Sequence, residues 1–460
     1  MPLPDATRLR SLPAEAWGAL GRRLRAVCLT ATAAVPYAKL AALSSDPRQG
    51  AMAKWHLRRV PTPSALAMRM LMFWDPITPD EARTVLGDEL PLERLLDAGL
   101  LARDGGGVVS AFVLQLLAGL YVLSDDVRAG GDAVMGAGPS TKSLAAAAQP
   151  LARAGRALDL GCGAGTLALG MASKCDHVVA TDVSERAVEL ARANAALNGL
   201  TNIECRVGDL FDPVLGESFD LVVSQPPFIA RDETDEPAAF LFGGPRGDEL
   251  AMRILGGLSA RLAANATAFV IAEWPIVEGE RALDERIVTT LGSPDLSVLL
   301  LEANAGDLDA HCARYASLTL DGEYERVAMR RRDHLERLRI HALQPALVVA
   351  RRVAAELAWA STVHNGSTPV SRARVEAMFA ARDLLSRGRE SLLAARVRVR
   401  GEANVPKSEL LTTVDASDSV GAAIASHATA TGRSVADVAA EILAQVTEAL
   451  LAGHLEVNAR

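Results

Sequence analysis

With 460 residues, half of them apolar and 23% charged, the chain is too long for one hydrophobic core and reads as two or three domains of ordinary globular composition. Its 48 basic and 56 acidic side chains leave a formal charge of −8, which argues against the basic footprint of a nucleic-acid binder. Five scattered cysteines, Cys28, Cys162, Cys175, Cys205 and Cys312, suit reduced cytoplasmic thiols better than a disulfide framework, and none has metal-ligand spacing with a histidine, so no metal site is expected. The polar surroundings of Arg22–Thr32 exclude an export signal, and the apolar run from Ala111 to Leu123, broken by Gln115 and Gly119, is too short to span a bilayer.

Residues 1–130 open with Ala/Arg-rich helical stretches, broken by Pro61-Thr62-Pro63 before a helix over Ala65 to Trp74. A capped helix start at Ile77-Thr78-Pro79-Asp80-Glu81 and the run Pro91 to Leu101 follow. Gly105-Gly106-Gly107 then joins two short apolar runs, so helix, helix and hairpin give a mostly helical, winged-helix-like pattern. Leu92 to Leu101 holds one arginine against two acids, whereas a DNA-recognition helix needs several groups that reach phosphates or base edges. DNA binding is therefore not expected of this unit.

The most informative stretch is Arg156 to Thr166, an apolar strand that runs through Asp159 into a turn with Gly161, Gly163 and Gly165 at alternate positions. Glycine tolerates φ > 0 and lets backbone approach a ligand, and the helix that follows aims unpaired N–H groups back at it. Such a turn alone is weak evidence, because dinucleotide-binding folds use a similar one. A second strand, His177 to Asp182, ends in an acid about 20 residues past the glycines, where a carboxylate takes ribose hydroxyls; capping of the helix from Ser184 is the competing role. A third strand, Ile203 to Val207, ends at Gly208-Asp209-Leu210-Phe211, where Asp209 also suits a plain turn. A fourth, Phe219 to Val223, ends at Ser224-Gln225-Pro226-Pro227-Phe228.

In this order the motifs resemble the class I S-adenosylmethionine-dependent methyltransferases, and within them the branch of the release-factor glutamine methyltransferases and small-subunit rRNA guanine N-methyltransferases, over residues 135 to 350. The resemblance implies an α/β fold with a Rossmann-like seven-stranded sheet core at 131–352, S-adenosyl-L-methionine as cofactor, and an N-terminal unit at 1–130 that shapes the acceptor pocket or mediates dimerisation, a homodimer included. It places the methionine end on Asp159, Gly161, Gly163 and Gly165, the ribose on Asp182, and the adenine on Asp209 and Leu210. Thr141 and Ser143, in the stretch entering the core, are read as surface linker or as contacts to the cofactor carboxylate. The family's acceptor motif is Asn-Pro-Pro followed by Phe or Tyr. This chain carries Gln225 instead of Asn, which moves the amide one methylene farther out, and Gln225, Pro226 and Phe228 become acceptor-positioning residues. The departure favours N-methylation of a small-molecule or peptide acceptor. The alternatives are N-methylation of a ribosomal or release-factor protein or of rRNA, O-methylation of a natural product, and a non-catalytic protein that keeps the cofactor fold.

Downstream, the loop Gly243 to Asp248 precedes a helix from Glu249 to Leu262, and Arg246 and Asp248 are read as pocket residues or as turn punctuation. The run Arg231 to Glu236 reads as a lid or a solvated loop. Strand Ala268 to Trp274 carries Trp274 out of its carboxyl end, as a pocket wall or as core. The arginines between Tyr324 and Arg339 are interleaved with Glu325, Asp333 and Glu336 and read as a solvated helix face. Leu343 to Val349 closes the sheet as an antiparallel strand. Residues 370–460 form a small helical, winged-helix-like module suited to a partner, a carrier-bound acceptor or a second subunit.

Overall fold

The central apolar runs become one eight-stranded sheet. Its strands are β1 (Ala154–Leu160), β2 (Cys175–Asp182), β3 (Ile203–Val207), β4 (Phe219–Ser224), β5 (Leu262–Val277), β6 (Leu296–Glu302), β7 (Ile340–Arg352) and β8 (Ala360–His364). The computed structural model describes residues 3–41, 50–126, 129, 131–233, 235, 240–316, 324–366, 369–400 and 408–458. The strands lie in the order β8-β6-β7-β5-β4-β1-β2-β3. β7 is antiparallel to β5 and β6, and every other pair is parallel. Helices cover both faces, so the inner strands are buried on both sides and read as continuous Val/Leu/Ala runs.

Seven strands were expected and Ala360–His364 adds an eighth, which pairs in parallel with β6. Its residues alternate between half-buried and exposed, as a sheet edge requires, and this polar run carries little of the apolar signal that marks an inner strand.

On one face Leu158, Leu160, Val222 and Val270 pack against helices Glu249–Leu258 (α3) and Leu283–Leu291 (α4). On the other, Ala157, Val178, Val223 and Phe269 pack against Thr166–Ala172 (α1), Glu185–Asn198 (α2) and Arg372–Ser386 (α7). Two further helices, Leu308–Ala316 (α5) and Tyr324–Arg337 (α6), lie between β6 and β7. Strand order reverses between β1 and β4, and a crevice at the carboxyl ends of strands at such a reversal is where open α/β sheets bind ligands.

Within 1–130, Thr78 and Glu81 form a reciprocal capping box, and helices Pro79–Leu86 and Leu92–Asp97 lead into the hairpin Leu101–Asp104/Gly107–Ser110. Ile77 forms an isolated antiparallel bridge to Val108 beside this hairpin. A second hairpin, Val113–Leu117/Leu120–Ser124, lies on α2. There Asn194, 0% exposed, accepts from Leu123 N–H (2.7 Å) and donates to the carbonyls of Leu123 and Ala164 (2.9 Å each). Asn198 accepts from Tyr121 N–H (3.0 Å). Leu20, Leu24 and Val122 share one apolar cluster with Ala164, Leu190 and Leu197. Asn194→Ala strands these buried backbone groups and is expected to cost about 2–4 kcal/mol in urea unfolding.

In the C-terminal region, strands Arg396–Val399 and Leu455–Asn458 pair antiparallel, but helices Glu409–Ala416, Val420–Thr431 and Val435–Leu451 separate them in the chain. The helical content agrees with expectation. The wing does not, because the pairing strands are separated by three helices and do not form a consecutive hairpin. Among the described residues no helix is long and apolar enough to cross a membrane.

Candidate active site

The site lies at the carboxyl ends of β1 to β4. Gly161, Gly163 and Gly165 have φ of 74°, 52° and 79°, a region that side-chain-bearing residues avoid. A Cβ at Gly165 would stand 2.9 Å from Ala191 Cβ on α2, whereas one at Gly161 would meet nothing within 4 Å. The turn thus packs tightly on its helix side and leaves open space on its outer side. Gly161 and Cys162 N–H groups both donate to Thr181 C=O (2.8 and 2.9 Å), which fixes the loop to the end of β2.

Asp182 ties the same parts together, since its Oδ2 accepts from Gly163 N–H and its Oδ1 from Ser184 N–H, both at 2.9 Å. It therefore holds the glycine loop and also braces the start of α2. Burial raises its carboxyl above the ordinary value against the pull of these N–H groups.

Asp159 is 1% exposed and its Oδ2 accepts from Ala168 N–H at 2.9 Å. Its Oδ1 is buried with no hydrogen-bond partner. Burial, opposed by the Ala168 amide and reinforced by the charge of Asp182, pushes the carboxyl up to about 7. An orphaned acceptor under an open glycine turn fits a ligand with a cationic donor, and S-adenosylmethionine carries an ammonium group at its methionine end. Without ligand, the folded chain holds this proton up to about pH 7, whereas an unfolded Asp releases it near 3.9. Wild-type stability from this group is therefore full below about pH 4 and is lost as pH rises to about 7. The expected result is that the stability of Asp159→Asn relative to wild type increases between pH 5 and pH 8, read by urea unfolding without cofactor.

At the carboxyl end of β3, Asp209 pairs with Arg253 at 2.8 Å, both side chains more than half exposed, a weak surface pair. Leu210 beside it has φ of 45°, a strained conformation for a leucine.

At the end of β4 the buried Ser224 Oγ donates to Leu160 C=O (2.8 Å), locking β4 to β1 just ahead of the acceptor motif. Gln225 is half-buried, and its Oε1 is buried with no hydrogen-bond partner. Pro226 is buried, and the half-buried Phe228 meets Tyr315 edge to face, centroids 6.3 Å apart. Ile229–Ala230 pairs with Phe242–Gly244. A Cβ at Gly243 would fall 2.4 Å from Pro227 O, and one at Gly247 2.4 Å from Phe228 O. Only glycine lets this loop back the acceptor motif so closely.

Several sequence readings change. Trp274 is 0% exposed and its Nε1 donates to Ala346 C=O at 3.3 Å, so it is core and not a pocket wall. Asp248 is buried against Arg286, and Arg246 binds Glu280 through two contacts of 2.7 and 3.0 Å. These charges face each other in an ion-pair cluster that clamps the Gly243–Asp248 loop, which favours the turn reading of Arg246 and Asp248 over the pocket reading. Thr141 and Ser143 lie in helix Pro139–Ala148 and not in a linker. The acidic run and the arginine helix meet: Asp235 pairs with Arg330, and Asp232 pairs with Arg337 (2.6 Å) and His334 (3.3 Å). Thr234 and Glu236 of that run lie outside the described residues. Arg331 is 6% exposed, so the solvated-face reading fails for it.

Sequence reasoning also missed Asn194, Tyr315 and the pair His311 Nδ1–Glu273 Oε2 at 2.9 Å. The i, i+4 spacing of His311 and Tyr315 on α5, with rings 4.7 Å apart, was the one local signal available.

Residues 139–242 match the methyltransferase small domain. A release factor glutamine methyltransferase of Xylella fastidiosa (strain 9a5c) is 40% identical over 111 residues, 22% of this chain and 40% of the relative. That of Bordetella pertussis is 36% identical over 139 residues, 28% and 51% respectively. A ribosomal protein uL3 glutamine methyltransferase of Xanthomonas campestris pv. campestris is 36% identical over 110 residues, 22% and 36%. The chain thus spans between about a third and about half of the length of these relatives. With the strand order and the glycine turn, these matches place the central domain among the class I S-adenosylmethionine-dependent methyltransferases, in the branch that holds the release-factor glutamine methyltransferases.

Proposed function

We propose that this chain transfers a methyl group from S-adenosylmethionine to the side-chain amide nitrogen of a glutamine in a protein. The observation that carries this reading is the buried, partnerless Oε1 of Gln225 next to Pro226. A buried acceptor left unpaired costs about 1–3 kcal/mol, and an amide N–H of the acceptor satisfies it. The names of the relatives support the protein glutamine reading over the small-molecule or peptide acceptor that the sequence favoured. The pairing of Arg330 and Arg337 with Asp235 and Asp232 leaves those guanidiniums engaged and argues against RNA as the acceptor.

When bound, S-adenosylmethionine supplies an electrophilic methyl on a sulfonium. Gln225 Oε1 accepts from one N–H of the acceptor amide, orients its nitrogen, and supports the positive charge that grows there during attack. Pro226 and Pro227 offer no N–H groups to compete for that amide and hold the turn rigid. Phe228, braced by Tyr315, supplies a face for the planar group. Positioning and exclusion of water carry the rate, and no strong base is required. The test is incubation of the pure protein with labelled S-adenosylmethionine and a panel of recombinant release factors and ribosomal proteins. Peptide mass spectrometry should find one added methyl on a glutamine. Absence of a methylated glutamine from every protein of the panel refutes the reading.

A further inference from the structure

We infer that Arg331 forms a carboxylate-binding subsite beside the acceptor motif, selecting acceptors with an acidic group close to the methylated amide. The inference rests on the glutamine reading for the identity of that amide, but not for the subsite itself. Arg331 lies in α6 and is 6% exposed, and neither its Nε nor its Nη1 has a hydrogen-bond partner. Its guanidinium sits 5.6 Å from the Phe242 ring centroid, and Phe242 is paired with Ile229, the residue after Phe228. It also lies within electrostatic reach of Tyr315, whose ring meets Phe228. A buried guanidinium without hydrogen bonds is expensive unless an anion completes it.

The acid near it, Asp235, is already engaged, held by Arg330 and by Asp232 N–H. A singly charged carboxylate matches the planar fork of arginine and meets less repulsion from Asp235 than a doubly charged phosphate does. The aromatic walls, Phe242 and Tyr315, keep water out and strengthen such a contact.

The test loads the full chain with S-adenosylhomocysteine and follows the Nε–H nuclear magnetic resonance signal of Arg331, assigned by its loss in Arg331→Lys. Titration with acetate, and separately with inorganic phosphate at constant ionic strength, should give a saturable shift with acetate and a weaker response to phosphate. No saturable acetate shift, or tighter phosphate binding, overturns the subsite. A second arm compares two capped pentapeptides that share a central glutamine and differ by Glu or Gln beside it. Wild type should bind the acidic peptide about tenfold more tightly, and Arg331→Met should lose that preference while keeping its affinity for S-adenosylhomocysteine. Equal binding of both peptides to wild type, or a preference that persists in Arg331→Met, overturns acceptor selection. If neither peptide binds while acetate still shifts Arg331, the glutamine reading fails and the carboxylate subsite stands.

Discussion

Gln225→Ala is expected to bind S-adenosylmethionine within about twofold of wild type and to turn over about 10²–10³ times more slowly, the loss typical of removing one charge-stabilising hydrogen-bonding group. The side chain stands at the end of β4, away from the glycine loop that Asp182 ties down, so cofactor affinity has no reason to change. Its Oε1 has no hydrogen-bond partner among the described residues, so truncation breaks no hydrogen bond of that atom there and stability should hold. Calorimetry with S-adenosylhomocysteine and single-turnover methyl transfer separate the two effects. Gln225→Asn tests reach: it restores the residue usual in the family but draws the amide one methylene back, and partial recovery is expected only for an acceptor able to enter deeper.

Asp182→Ala should act in the opposite sense. It releases Gly163 N–H and Ser184 N–H together, and loss of charge-assisted hydrogen bonds of this kind is worth about 2–4 kcal/mol, or roughly 30- to 1000-fold in cofactor affinity. Turnover at saturating cofactor should fall far less. Because burial already disfavours the charged carboxyl, Asp182→Asn keeps the shape but offers only one acceptor oxygen for two N–H groups, and an intermediate affinity is expected. Equal loss of cofactor binding in Gln225→Ala and Asp182→Ala would refute this division of labour.

The parts of the site legible in the sequence are those built by contiguous residues. Strand β1, its three-glycine turn and α1 follow one another without a break, and Asp182 and Gly163, only 19 residues apart, meet through one short βαβ unit. What stayed hidden depends on distant packing. Arg330 reaches Asp235 across 95 residues and Arg337 reaches Asp232 across 105, so two segments that looked separately solvated neutralise each other. In sequence Trp274 closes the apolar run from Ala268, but β5 continues to Val277, and only the position of β7 shows that the indole is enclosed. The burial of Arg331 is likewise tertiary, since on a helix wheel it is one arginine among six in its segment.

The seam at Asn194 has a consequence for how this protein can be divided. Residues far upstream dock onto α2 and, through one amide, onto the carbonyl of Ala164 inside the glycine turn. Cropping the chain to the stretch shared with other methyltransferases would peel a wall from that turn and leave its apolar lining wet. The first 126 residues and the catalytic sheet should therefore melt in one calorimetric transition, and proteases should find no cut that frees a competent fragment.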